Sequence, residues 1–145
     1  MIAQTQANPD IYDLPRDIRN AVDRVRELHV AAVNAGDIEG AASLFAPDAV
    51  LLPPGQPPLP GASAIHGWFA FVLTNFRLEG FDILPDTVER IGELSIEHGR
   101  WKGTFQPKDG SPGRAAGGTY LTVYRHLADG SVRIVRDTFN EAPAA

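Results

Sequence analysis

Asp137 stands in the run Val132-Arg133-Ile134-Val135-Arg136-Asp137-Thr138-Phe139-Asn140. Strand alternation puts it on one face with Val135 and Phe139. A carboxylate on so apolar a face is costly unless it is paired, hydrogen-bonded or protonated. Two readings follow. An ion pair with Arg136, Arg125 or Arg114, or a sheet-edge hydrogen bond, makes it structural. Burial without a cation makes it an acid that holds its proton near neutrality and can both give and take it. His29, beside Val25 and Leu28 on the apolar stripe of a helical run, is of the type that shuttles protons near neutral pH. Its alternative is a wall histidine held by a hydrogen bond. The catalytic candidates are therefore Asp137 and His29.

The other histidines read as outlying: His66 solvated in a first helical turn, His98 on a surface or interface, His126 exposed beside a turn. None of the four has a spacing such as His-Glu-x-x-His, so a metal is not expected. The chain has no cysteine, which excludes disulfides, thiolate zinc sites and cysteine nucleophiles. It also lacks a nucleophile elbow, a dinucleotide fingerprint and a phosphate-binding loop, so no cofactor is expected. Trp68, Trp101, Tyr120 and Tyr124 suit a half-wet pocket, each an aromatic body with a polar tip. Phe69 and Val72 share the apolar side of Trp68 and join them as pocket candidates. Tyr120, Thr122 and Tyr124 share one strand face. If it is concave they look into a pocket, and if convex they belong to an interface.

Helices and strands must position these groups. Asp13 and Pro15 suit a helix start, and Ile18, Ala21, Val22, Val25, Leu28, Ala32 and Val33 recur at helical spacing. Asp17, Asp23, Arg24, Arg26 and Glu27 fall on the other face. Gly36 ends this helix, and Asp37 caps a short second one through about Phe45. Ala49–Leu52 reads as a strand. The five prolines between Pro53 and Gly61 predict a stiff surface loop, as a pocket rim or a ligand for an SH3-like partner. A third helix spans about 62–75. Strands are predicted over 78–85 with 88–91, over 94–106, over 118–126 and over 131–140, with Asp129-Gly130 as a hairpin turn. Helices segregated from an antiparallel meander mean α+β.

At 145 residues, 43% hydrophobic and 21% charged, the chain fits one domain of residues 1–145 with a real core, residues 1–12 forming a loose arm. A net charge of −5 with scattered basic residues argues against nucleic acid. No apolar run approaches the ~20 residues that span a bilayer, and no signal peptide is visible. A cytoplasmic location, no membrane partner, and self-association as a homodimer through an exposed aromatic row are expected.

Several junctions resemble the nuclear transport factor 2-like superfamily, in its SnoaL-like and ketosteroid-isomerase-like branch. They are His29 through Asp37, Leu44-Phe45-Ala46-Pro47-Asp48-Ala49-Val50, Gly61 through Trp68, and Val132 through Asn140. The resemblance covers about 16–140. It implies a cone: three helices packed on a strongly curved, mostly antiparallel sheet, hollow at one end, where a small apolar molecule binds. Gly99, Gly103, Gly117 and Gly118 would serve the bending. Isomerase chemistry in this family uses a tyrosine whose place falls at His29, a base near Pro53 and a second acid near Thr122, so that route is absent here. Its polyketide cyclases imply proton transfer by a carboxylate, for which Asp137 is the remaining candidate. The same scaffold also hosts non-catalytic binding and assembly modules.

Overall fold

The computed structural model describes residues 16–142. The arm and the capping pair Asp13 and Pro15 lie outside that range. Helix α1 spans Arg16–Ala35. Val22, Val25, Ala32 and Val33 form its buried side as expected, but two positions differ from the sequence reading. Leu28 is 42% exposed, and Arg26 is buried at 9%. The reason is geometric: 22, 26, 29 and 33 recur at the four- and three-residue steps of one helical face, so Arg26 and His29 complete the stripe and Leu28 drifts off it.

Gly36 closes α1 with φ of 71°, its N–H donating to the Val33 carbonyl. Asp37 then caps helix α2, Ile38–Ala42, by accepting from the Gly40 N–H at 2.9 Å. This helix is shorter than expected. Phe45 already belongs to strand β1, Phe45–Leu52, because the Leu44 carbonyl accepts from the Ile134 N–H and Phe45 pairs with Ile134. Pairing with a distant strand overrides helical periodicity here.

The proline loop carries the two-residue strand β2, Leu59–Pro60, paired antiparallel to β1. It lies at the sheet edge, where a missing N–H costs nothing. Helix α3, Gly61–Asn75, buries Ile65, Phe69 and Leu73, spaced four apart. The remaining strands are β3 (Phe76–Ile91), β4 (Leu94–Pro107), β5 (Arg114–His126) and β6 (Val132–Phe139). The order is β2-β1-β6-β5-β4-β3, with only β1 and β6 parallel.

The molecule is thus an α+β arrangement of three helices on a curved, unclosed six-stranded sheet. Strand β3 is one bent strand, with register shifts at Glu79/Asp82 and Pro85/Thr87. Gly99 faces the second shift, and a side chain there would collide with the Leu84 carbonyl and Pro85 Cα. Gly118 lies equally close to the Asn140 backbone. At both positions close approach, rather than a left-handed conformation, requires glycine. Leu51, Leu78, Val88, Tyr124 and Ile134 of the inner sheet face form one core with Val22, Val33, Ile65 and Leu73 of the helices. No described helix is long and apolar enough to cross a membrane.

Candidate functional site

Between α1, α3 and the inner sheet face the structure leaves a cavity of about 290 Å³. Alternation on β5 turns Tyr120, Thr122 and Tyr124 inward, and all three line it. Their strand face is the concave one. Asp137 sits directly across from Thr122 on β6. His29 of α1, Trp68, Phe69 and Val72 of α3, and Trp101 of β4 also line it. Pro54 and Gln56 of the proline loop contribute, as do Phe71 and the ion pair of Arg114 with Glu141 (2.8 Å).

The Asp137 carboxylate is 8% exposed and accepts one hydrogen bond, from Thr122 Oγ1 at 2.9 Å. None of the three arginines considered for it is its partner. Arg125 binds Asp48 through both Nη nitrogens, Arg114 binds Glu141, and Arg136, on the outer face, bonds the Val135 carbonyl. Burial therefore acts largely unopposed. It raises the Asp137 pKa from 3.8 to about 7, with Thr122 pulling it down and the Glu97 charge pushing it further up.

His29 is surrounded by rings, with centroids of Phe45, Phe69 and Phe81 at 6.2, 6.1 and 6.0 Å. Among the described residues its ring has no hydrogen-bond partner. Burial lowers its pKa from 6.5 to about 4, so the imidazole is neutral at neutral pH, able to donate from one nitrogen and accept at the other.

One group escaped the sequence reading. Glu97 is 0% exposed and lines the cavity. It accepts from Arg26 Nε at 3.1 Å, from Arg26 Nη2 at 2.6 Å and from the Tyr120 hydroxyl at 2.6 Å. Burial works against the Arg26 charge, but the hydrogen bonds and charge of Glu97 outweigh it, and the guanidinium pKa rises. A signal was present. Alternation that turns Trp101 inward turns Ser95, Glu97 and Gly99 inward with it, and leaves His98 outside.

Trp101 is fixed by a bond from Nε1 to the Asn140 carbonyl (2.8 Å) and an edge contact with Phe139 (5.7 Å). Of the other histidines, His66 bonds Glu39 at 2.6 Å and His98 is exposed. His126, expected to be exposed, is half-buried because Ser95 Oγ binds its Nε2 at 2.6 Å. Among the described residues no group of three or more His, Asp or Glu could hold a metal ion.

A bent, mostly antiparallel sheet folded over three helices is the arrangement of the cone class of small α+β proteins. The chain belongs to the SnoaL-like domain family, whose model matches residues 25–136. No curated protein matches it in sequence. Among solved structures it is similar to a conserved protein from Planctomyces limnophilus DSM 3776, with 18% identity and a TM-score of 0.79, covering 87% of this chain and 97% of that one. A ketosteroid isomerase-like protein from Erwinia carotovora atroseptica SCRI1043 gives 17% identity and a TM-score of 0.79, covering 90% and 100%. A nuclear transport factor 2-like superfamily protein from Salmonella enterica serovar Typhimurium LT2 gives 16% and 0.75, covering 88% and 93%. At such identities the likeness concerns the fold.

Proposed function

We propose that the protein is a cofactor-independent acid–base enzyme acting on a small, apolar cyclic substrate, an isomerase, cyclase or dehydratase, in which Asp137 carries the proton. The observation behind this reading is a carboxyl group buried in a cavity, without a cationic partner among the described residues, whose pKa of about 7 suits it to both halves of a proton transfer. Ionised Asp137 takes a proton from the carbon next to a ring carbonyl, and the C–H electrons move into an enolate. Protonated Asp137 then returns that proton to another carbon, or to a departing hydroxyl. Neutral His29 orients the substrate or donates to its oxygen. The aromatic walls exclude water.

The test is hydrogen–deuterium exchange at the α-carbon of β-tetralone in D2O, followed by NMR. The wild type accelerates exchange over buffer, and Asp137→Asn lowers the acceleration by about a hundredfold or more. Exchange that persists in Asp137→Asn removes the carboxylate from the mechanism.

A second reading, a non-catalytic ligand-binding or dimeric assembly module, is favoured by one observation. The positions the family resemblance assigns to isomerase catalysis hold His29, Pro53 and Thr122, and a proline has no proton to exchange. Native mass spectrometry that retains a cavity ligand, with no β-tetralone exchange by the wild type, selects this reading.

A further inference from the structure

Tyr120 and Tyr124 stand in one row of β5, both inside the cavity, yet their hydroxyls are differently engaged. Tyr120 donates to Glu97 at 2.6 Å. The Tyr124 side chain is 2% exposed, and among the described residues its hydroxyl has no hydrogen-bond partner. A buried hydroxyl without a partner is costly. In the wall of a cavity, the group that satisfies it is a ligand atom.

The other polar groups that the sheet turns toward the cavity are already engaged. Arg26 and Tyr120 bind Glu97, Thr122 binds Asp137, and Trp101 binds Asn140. Arg26 is held between Glu97 and Asp23, at 2.6 and 2.9 Å, and is not among the residues that line the cavity. Among the described residues the cavity lining therefore offers an anion no free cation, Arg114 being paired with Glu141, and sets Asp137 against it. Apart from His29 and Gln56, the rest of the lining is apolar, aromatic rings together with aliphatic side chains such as Val33, Leu51 and Ile83.

We infer that the ligand is an uncharged, flat cyclic molecule carrying an acceptor oxygen, a ring carbonyl or phenol, and that Tyr124, not Tyr120, donates to that oxygen. Burial first, and then the Glu97 charge, hold the Tyr124 phenol well above the ordinary tyrosine range, so it stays a donor throughout. In the reaction proposed above, on which this clause alone rests, Tyr124 stabilises the enolate oxygen while Asp137 holds the proton.

The experiment titrates β-naphthol, β-tetralone and the anion β-naphthoate into the full chain at neutral pH by calorimetry, using the wild type, Tyr124→Phe and Tyr120→Phe. The wild type binds the two neutral probes about tenfold more tightly than the anion. Tyr124→Phe loses about tenfold in β-naphthol affinity, while its urea midpoint is unchanged or higher, because an unpartnered hydroxyl has been removed. Tyr120→Phe lowers the midpoint and loses less β-naphthol affinity than Tyr124→Phe does. Undiminished β-naphthol binding in Tyr124→Phe, equal binding of β-naphthoate, or no binding of any probe overturns the inference. Binding through Tyr124 together with no β-tetralone exchange by the wild type rejects the acid–base reaction and upholds the assignment of the ligand.

Discussion

Asp137 and His29 are both moved by burial, in opposite directions, and this gives each a signature in stability. The Asp137 pKa is about 7 in the folded chain. Between 3.8 and 7 the folded state holds a proton that the unfolded chain has released, so stability falls as pH rises through that window. The displacement corresponds to roughly 4 kcal/mol in all. For His29, lowered to about 4, the unfolded chain holds the extra proton between 4 and 6.5, and stability rises with pH there. Across the shared window the two slopes oppose each other. Urea denaturation from pH 4 to 8 should show a nearly flat wild-type profile up to 6.5. Asp137→Asn should show stability rising from pH 4 to 6.5, and above pH 7 it should exceed the wild type. A less stable Asp137→Asn at pH 8 would mean that the carboxylate has a cationic partner. The rate of β-tetralone exchange should climb with pH through about 7 as Asp137 ionises, then level off.

At the scale of elements, α1 and β4 meet through Arg26 and Glu97. Glu97→Gln keeps the shape and leaves the buried guanidinium only the half-buried Asp23 at 2.9 Å as a counter-charge, which should destabilise the fold by about 3 kcal/mol. Differential scanning calorimetry of the variant checks this, and an unchanged midpoint would show that Asp23 and solvent suffice to hold the Arg26 charge. The pair also shows where sequence reading ends. The strand carrying Glu97 and the inward phase of Trp101 were legible, because period-2 alternation is local. That Arg26 belongs inside was not, since its partner Glu97 lies 71 residues away and an arginine among Asp23, Arg24 and Glu27 reads as a solvated face. The end of α2 failed for a related reason. Leu44 and Phe45 continue a helical pattern, and only the parallel pairing with Ile134 recruits them to a strand. The turns at Gly36 and Asp37 were readable, as they depend on conformational preferences of single residues.

For the whole molecule, the inward row of Tyr120 and Tyr124 removes the aromatic surface on which self-association was expected. The outer sheet face carries Leu121, 39% exposed, with Val123 and Ile96 beside it through the paired register Ile96↔Val123 and His98↔Leu121. We keep the homodimer as a proposal on that face. Light scattering at micromolar concentration should give twice the 15.6 kDa chain mass, and Leu121→Lys should return the monomer. A wild type at monomer mass ends the proposal. The cavity, by contrast, is lined by residues of one chain. That both its acid and its neutral imidazole face one hollow follows from the sheet bending over α1. The sequence hinted at that bend through Gly99 and Gly118 but did not locate it.

The chain has two tryptophans, and both Trp68 and Trp101 are cavity walls. The protein is consequently its own optical sensor. All of its indole emission originates beside the space where a ligand would sit, with no third indole elsewhere to dilute the signal. Trp101, 6% exposed and bonded to the Asn140 carbonyl, emits from a dry, fixed setting, whereas the half-buried Trp68 samples a wetter one. A flat ring entering between them would quench both or transfer energy with them. A library of unlabelled compounds could thus be screened by the chain's native fluorescence alone, and Trp68→Phe and Trp101→Phe would report from which wall each compound is seen.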